Sequence, residues 1–176
     1  MNNFIFENTT KAYFGKGCVK EYLACQMSRC GQNVMLCYGG GSIKRNGVYD
    51  EVRGILESCG KHVIEFSGIP SNPTYAKVLE GAKLAKAEHA DMILAVGGGS
   101  VMDTAKLASI LMTDEYGIKE LLDEPGRAKK CIKTLMIPTT AGTGSEATPN
   151  AIVAVPEKQL KVGIVNTEMI ADYVIL

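Results

Sequence analysis

The alternation of short apolar runs with amphipathic stretches is the feature that most constrains the fold. Apolar runs rich in Val, Ile and Leu recur at residues 34–37, 63–66, 92–96 and 134–137. Patterns with a helical period lie before or between them, at about 19–27, 48–59, 74–88 and 101–112. Strands that alternate with helices form a mostly parallel sheet with helices on both faces. The sequence therefore predicts an α/β, Rossmann-like domain that binds its ligand beyond the carboxyl ends of the strands.

Shorter segments predict β-hairpins at the edges of this sheet. Residues 4–6 and 12–14 flank a polar turn, and residues 151–155 and 161–165 flank Pro156-Glu157-Lys158. Residues 173–176 are predicted to form a further strand. No repeat, low-complexity segment or linker interrupts the chain, so residues 1–176 are predicted to form one domain.

Composition and charge limit the classes of partner expected for the chain. Nineteen basic residues balance nineteen acidic ones, and no block of like charge favours a nucleic acid or a membrane surface. The N-terminus lacks a signal-peptide pattern and no apolar run approaches the roughly 18 residues of a membrane span, so a cytoplasmic location is expected. The six cysteines form no C-x-x-C pair, and His62 and His89 are expected at the surface, so no metal ligand is assigned.

The strongest local feature is the triplet Gly97-Gly98-Gly99, which joins a predicted buried strand to a helix that starts near Ser100. Glycines let a diphosphate approach the backbone, and the free N–H groups of a helix start favour an anion. The triplet therefore predicts a phosphate cradle at Gly98, Gly99 and Ser100. The alternative is a tight turn with Ser100 as N-cap and Asp103 closing a capping box; Asp103 could instead face the polar end of a ligand.

A second glycine run follows the strand at residues 34–37. Nucleotide-binding sheets commonly carry an acidic residue at such a place, where it accepts hydrogen bonds from the adenosine ribose. Gly40, Gly41 and Ser42 stand there instead, followed by Lys44 and Arg45. This segment would tolerate a ribose 2′-phosphate and thus permits NADP, although a solvated glycine turn with two exposed cations explains it equally well.

Hydroxyl groups and glycines are concentrated in residues 137–150. Thr139, Thr140, Thr143 and Asn150 could meet a nicotinamide ribose, a carboxamide or a phosphate, while a capped Ser/Thr-rich turn is the plain alternative. Asn72, which precedes Pro73, could be a helix N-cap or could face the ligand.

Two of these segments carry a family resemblance. They are Gly97-Gly98-Gly99-Ser100 with Asp103 and Lys106, and Pro138-Thr139-Thr140-Ala141-Gly142-Thr143-Gly144-Ser145-Glu146. From Tyr13 to Leu176 the chain resembles the N-terminal domain of iron-containing (group III) alcohol dehydrogenases, and most of all their butanol dehydrogenase or aldehyde reductase branch. The resemblance implies a dehydroquinate synthase-like N-terminal domain. It also implies the interconversion of an alcohol and an aldehyde by hydride transfer with NAD or NADP.

The resemblance also implies roles for individual residues. Gly98, Gly99 and Ser100 would hold the diphosphate, and Thr139, Thr140 and Thr143 would line the cofactor site. Asn72, Asn150 and Lys161 match positions that contact the nucleotide. Members restricted to NAD tend to carry an aspartate where Gly40 stands, so this departure favours NADP or a relaxed preference. Family members commonly form a homodimer through the N-terminal edge, and other association through a domain face exposed by truncation is the alternative.

The resemblance assigns neither a metal ligand nor a catalytic residue to this chain. Family members hold Fe²⁺ or Zn²⁺ with one aspartate and three histidines of a helical C-terminal domain. The chain is expected to lack that domain, to be a truncated product or fragment, and to be inactive alone. The alternatives are a nucleotide-binding module without catalysis and a different chemistry on the same architecture.

Overall fold

The computed structural model describes residues 8–113 and 117–176, and strands alternate with helices there as predicted. The strands are β1 (Lys11–Tyr13), β2 (Asn33–Tyr38), β3 (His62–Phe66), β4 (Met92–Gly97), β5 (Lys133–Pro138), β6 (Asn150–Val155), β7 (Leu160–Val165) and β8 (Tyr173–Ile175). The α-helices are α1 (Cys18–Met27), α2 (Ser42–Arg45), α3 (Val48–Ser58), α4 (Tyr75–Ala87), α5 (Gly99–Leu111) and α6 (Ile118–Asp123). Short 3-10 helices lie at Pro125–Arg127, Ser145–Ala147, Pro156–Lys158 and Thr167–Met169.

Six strands form one parallel sheet in the order β1-β8-β5-β4-β2-β3. The central strands are buried on both faces, which explains their continuous apolar runs. In β2, for example, Val34 and Leu36 point into one hydrophobic cluster while Met35 points into the other. The predicted α/β fold with helices on both faces is confirmed.

Each face of the sheet is covered by its own helices. Val52 and Leu56 of α3 are buried in one cluster, together with residues of α1 and α2. Helices α4 and α5 cover the opposite face, where an added Cβ at Gly81 of α4 would lie 2.7 Å from the ring of Phe66. Glycine is therefore required at position 81 because the helix passes so close to β3.

The strand order changes direction between β2 and β4. From β2 the chain passes to its neighbour β3 on one side, and from β4 it passes to β5 on the other. The connecting helices α3 and α5 lie on opposite faces, so the loops after β2 and β4 diverge and leave a crevice. Such a switch point is where open α/β sheets bind their ligands.

The hairpins differ in part from the prediction. Strands β6 and β7 pair in antiparallel fashion as predicted, but they form a separate two-stranded sheet that packs on α5 instead of extending the edge of the main sheet. Strand β1 pairs in parallel with β8. Residues 4–6, the other half of the predicted N-terminal hairpin, lie outside the described residues. The predicted C-terminal strand is confirmed as β8.

The predicted N-cap of helix α4 is wrong. Helix α4 begins after Thr74, whose side chain accepts a hydrogen bond from the N–H of Lys77. Asn72 is therefore not its N-cap. The N–H of Ala154 donates to the carbonyl of Pro73 at 2.8 Å, which ties this segment to β6 and lets the helix begin only at Tyr75.

Further expectations concern the two histidines and the six cysteines. His62 and His89 are exposed as expected, and all six cysteines are free thiols. Among residues 8–113 and 117–176, no helix combines the length and the apolar character needed to span a membrane.

Candidate functional site

The junction between β4 and α5 forms the centre of the candidate site. Gly98 is the N-cap of α5 in an extended conformation, with φ −86° and ψ −175°, and its carbonyl accepts the N–H of Val101 and of Met102. Ser100 is therefore not the N-cap, because the helix already includes it. The first N–H groups of α5 have no partner within the helix, so they remain available to an anion.

The loop that follows β5 lies directly against this junction. The N–H of Thr139 donates to the carbonyl of Gly97 at 2.9 Å. A Cβ at Gly98 would lie 3.6 Å from Thr140 Oγ1, and one at Gly99 would lie 3.0 Å from Thr143 Cγ2. The glycines thus keep a narrow space open between two threonine hydroxyl groups and the start of the helix.

Two adjoining clefts open from this space. The smaller one, of about 250 Å³, lies at the switch point between β2 and β4. It is lined by Gly39, Ser42, Ile43, Ile69, Pro70, Ser71, Val96, Gly97, Gly98, Gly99, Ser100 and Val101. The larger one, of about 390 Å³, lies between the start of α5 and the hairpin β6–β7. It is lined by Ser71, Asn72, Pro73, Gly99, Ser100, Asp103, Thr143, Ser145, Thr148, Asn150 and Ile152.

The two clefts share Ser71, Gly99 and Ser100. The hydroxyl of Ser100 donates to the carbonyl of Ser71 at 2.5 Å, which fixes the loop after β3 over the helix start. An elongated ligand could therefore occupy both clefts and cross at Gly99 and Ser100.

Asp103 does not close a capping box. Its Oδ1 accepts a hydrogen bond from Ser145 Oγ at 2.5 Å, and its Oδ2 accepts one from the N–H of Ile152 at 3.0 Å. Both oxygens are therefore committed to protein donors at the wall of the larger cleft. Asp103 lines the larger cleft, but it shapes the wall instead of offering a free carboxylate.

Lys106 lies one turn further along α5 and is completely buried. Its Nζ lies 3.7 Å from Asp103 Oδ1. Burial lowers the pKa of Lys106 to about 8, and the nearby carboxylate of Asp103 opposes that shift by favouring the ammonium form. The ammonium also donates to backbone carbonyl groups of the loop between β5 and β6, including that of Ser145 at 2.8 Å.

The segment after β2 is ordered as a short helix. Gly41 precedes it with φ 99°, a left-handed conformation that favours glycine, and α2 then begins at Ser42. Lys44 Nζ lies 5.1 Å from the ring centroid of Tyr38 and 4.5 Å from that of Tyr49. This segment is thus a helical turn and not the solvated glycine turn considered above, and the Lys44 ammonium lies over two tyrosine rings.

Eight of the thirteen predicted cofactor residues line the two clefts, namely Ser42, Asn72, Gly98, Gly99, Ser100, Asp103, Thr143 and Asn150. The other five are outside these linings and are exposed or half-buried, namely Gly40, Gly41, Thr139, Thr140 and Lys161. Thr139 and Thr140 still border the glycine junction, whereas Lys161 lies on β7 opposite Ala154.

Sequence reasoning missed several residues of the larger cleft, namely Ser71, Ser145, Thr148 and Ile152. It noticed Lys106 only as part of a motif. A lysine within the mostly apolar helix α5, three residues after an aspartate, was the available signal of a buried polar network.

The described residues do not form a metal site. In residues 8–113 and 117–176, no three His, Cys, Asp or Glu side chains are arranged so that they could hold a metal ion. We therefore assign no metal ligand and no metal-dependent step to them. A dinucleotide fits better, because the glycine junction is a cradle that a Cβ would fill.

Comparison with known proteins identifies the family of the chain. The sequence model of iron-containing alcohol dehydrogenases matches residues 9–176. The chain belongs to this family. It is 41% identical over 153 residues to the probable NADH-dependent butanol dehydrogenase 2 of Bacillus subtilis, which covers 87% of the chain and 39% of that relative. It is 35% identical over 157 residues to the NADPH-dependent aldehyde reductase YqhD of Escherichia coli, covering 88% and 40%.

A solved structure from the same family has the same fold. The NADH-dependent butanol dehydrogenase A of Thermotoga maritima superimposes with a TM-score of 0.93 at 34% identity, covering 99% of this chain and 44% of that one. The chain thus spans less than half the length of the relatives it matches. The predicted family and fold are confirmed.

Proposed function

We propose that this chain is the cofactor-binding part of an NAD(P)-dependent alcohol dehydrogenase, which interconverts an alcohol and an aldehyde by hydride transfer. The observation that carries the proposal is the Gly98–Gly99 junction at the start of α5, placed where two clefts meet at the switch point of the sheet. Family membership supports it, because both named relatives use a nicotinamide dinucleotide according to their names.

The diphosphate would lie over Gly98, Gly99 and Ser100. There it would meet the first N–H groups of α5 and the positive end of the helix dipole. The hydroxyl of Ser100 already donates to Ser71. We therefore assign phosphate binding at this position to the backbone N–H, and loop anchoring to the hydroxyl.

The adenosine half would occupy the smaller cleft and the nicotinamide half the larger one. The adenosine ribose then lies beside Gly40, Gly41 and Ser42 at the end of β2. In the larger cleft the amides of Asn72 and Asn150 and the hydroxyl of Thr143 can bond the nicotinamide ribose and carboxamide. Thr139, Thr140 and Lys161 would contact the cofactor at the edge of the site.

NADP is the proposed preference. Gly40 offers no carboxylate to a 2′-hydroxyl group and no repulsion to a 2′-phosphate, and it is exposed. The names of the relatives include both NADH- and NADPH-dependent enzymes, so they do not decide the preference, and the proposal rests on Gly40.

When it is bound, the reduced nicotinamide supplies the hydride for a carbonyl carbon. The residues of this chain bind the cofactor, orient its ring and exclude water from the glycine junction. Fe²⁺ or Zn²⁺ belongs to the proposed activity of the family, but the described residues supply no ligand set for it. An alcohol or aldehyde is the proposed substrate and the cytoplasm the proposed location.

Titration calorimetry with NADPH and with NADH tests this proposal. We expect saturable binding of both, tighter for NADPH, and no butyraldehyde reduction by this chain alone with added iron or zinc. A Gly99→Val variant should not bind either nucleotide, because its side chain would fill the cradle beside Thr143. Absence of binding by the unsubstituted chain would refute the proposal, and turnover would refute the assignment of catalysis to other residues.

A further inference from the structure

The wall of the larger cleft is held by a buried ammonium group. Lys106 Nζ donates to the carbonyl of Ser145 at 2.8 Å, to that of Thr148 at 3.2 Å and to that of Asn150. The Lys106 side chain has no exposed surface. One cation therefore gathers three carbonyl groups from a segment that lies about forty residues away along the chain.

Asp103 holds the same segment from the same helix. Its carboxylate accepts the Ser145 hydroxyl and the N–H of Ile152, on either side of the carbonyls that Lys106 binds. The Oε2 atom of Glu146 is buried with no hydrogen-bond partner in the described part of the chain, and its charge favours the ammonium form of Lys106. Asp103 and Lys106 thus bind residues 145–152 at five points.

This segment consists of two short regular parts joined by an irregular link. The 3-10 helix Ser145–Ala147 and the start of β6, which pairs with β7, are connected by Thr148 and Pro149, which belong to neither. Without the ammonium, three carbonyl groups would face one another without a donor, which is unfavourable in a buried place. The shape of the segment therefore depends on Lys106.

The outer side of the same segment faces the larger cleft. Thr148, Asn150 and Ile152 line it, whereas Lys106 does not reach it. A change at Lys106 would move these three residues relative to Gly99 and Ser100, which belong to the rigid start of α5.

We propose that Lys106, together with Asp103, is a positioning residue that shapes residues 145–152 into the wall of the larger cleft and so determines affinity for the nicotinamide half of the cofactor. The inference rests on the proposed function, because it needs a bound dinucleotide. On this inference Lys106 affects the binding of only one half of the ligand, although its side chain does not contact the ligand.

The test compares NADPH with 2′-phospho-ADP, which keeps the adenosine and diphosphate but lacks the nicotinamide riboside. In Lys106→Met we expect NADPH affinity to fall by about tenfold, the equivalent of one lost hydrogen bond, while 2′-phospho-ADP affinity stays within about twofold. Lys83→Met, which changes an exposed lysine of α4, is the matched control and should alter neither affinity. Equal affinities in Lys106→Met and the unsubstituted chain, or equal losses for both ligands, would overturn the inference.

Chemical rescue separates positioning from general loss of structure. Lys106→Ala removes the three methylenes and the ammonium beyond Cβ, and n-propylammonium replaces them. We expect added n-propylammonium to restore NADPH affinity, while 1-propanol and sodium chloride do not. Restoration by 1-propanol to the same extent would show that volume alone matters and would overturn the role of the charge.

A less disruptive variant, Ser145→Ala, tests the inference if the Lys106 variants do not fold. Ser145→Ala removes one donor to Asp103 and leaves both charges paired. The same selective loss for NADPH is expected, with faster amide hydrogen exchange confined to residues 145–152. An unselective or absent effect in a folded Ser145→Ala chain would count against the inference. If the unsubstituted chain binds no nucleotide, the proposed function itself fails, which is a distinct result.

Discussion

Gly98→Ala should weaken cofactor binding without unfolding the protein. The conformation of Gly98, with φ −86° and ψ −175°, is open to any residue. The added Cβ would lie 3.6 Å from Oγ1 and 3.9 Å from Cβ of Thr140, which are ordinary van der Waals contacts. An N-cap alanine is less favourable than glycine, but it also lowers the entropy of the unfolded chain, and the two effects should cancel to within roughly 0.5 kcal/mol.

The bound state should be affected far more. The methyl group would occupy the space through which a diphosphate oxygen approaches the first N–H groups of α5. The loss of one charge-assisted hydrogen bond is worth about 1.5–3 kcal/mol, so the dissociation constant for NADPH should rise roughly ten- to hundredfold.

The assay is titration calorimetry with NADPH, combined with thermal unfolding of both proteins followed by circular dichroism. The matched control is Gly54→Ala, at an exposed position of helix α3, where the added Cβ meets nothing within 4 Å. A folded Gly98→Ala chain with unchanged NADPH affinity would refute the assignment of the diphosphate to this junction.

Three further predictions concern other positions. Gly54→Ala should raise the free energy of unfolding by about 0.5–1 kcal/mol, measured by urea denaturation, because alanine is the better residue inside a helix; a loss of stability would contradict the exposed helical position. Gly40→Asp should weaken NADPH binding about tenfold through repulsion of the 2′-phosphate and spare NADH, whereas Gly40→Ala should change neither. Equal effects of Gly40→Asp on both nucleotides would show that the adenosine ribose lies elsewhere. The pKa of Lys106 is about 8 in the folded chain, below its ordinary 10.5. Between about pH 8 and about pH 10.5, Lys106 is therefore more fully protonated in the unfolded chain than in the folded one. The free energy of unfolding should therefore rise by up to about 3 kcal/mol as pH rises from about 8 to about 10.5, relative to Lys106→Met. Parallel pH profiles for the two proteins would show that the lysine is not desolvated.

The sheet could be predicted because its strands are buried on both faces. Every residue of β4 and every residue of β2 except Asn33 is buried, so the apolar runs stand out without any periodic pattern. The glycine triplet also indicated the junction where the two clefts meet, because glycines between a strand and a helix leave the start of the helix open to a ligand.

The helix starts were harder to predict, because local sequence offered two acceptable caps each time. Asn72 and Thr74 are both good capping residues, and the hydrogen bond from Ala154 to Pro73 decides between them. That bond depends on where the hairpin β6–β7 packs. No local pattern carries this information.

The polar network of the larger cleft could not be predicted either. Lys106 and the carbonyl of Ser145 are separated by 39 positions in the sequence. Hydrophobic patterning places α5 against the sheet, but it does not indicate which carbonyl groups meet a buried ammonium. The lysine would have been expected at the surface on its residue type alone.

The most direct test of the account is a titration of the ¹⁵N-labelled chain with NADPH, followed by amide chemical shifts. The account predicts that the largest shifts cluster at Gly98, Gly99 and Ser100 and at residues 139–143, while the amides of α1 do not move. Saturable binding with shifts confined to other surfaces, or no shifts at all, would contradict the claim that the junction between β4 and α5 holds the cofactor diphosphate.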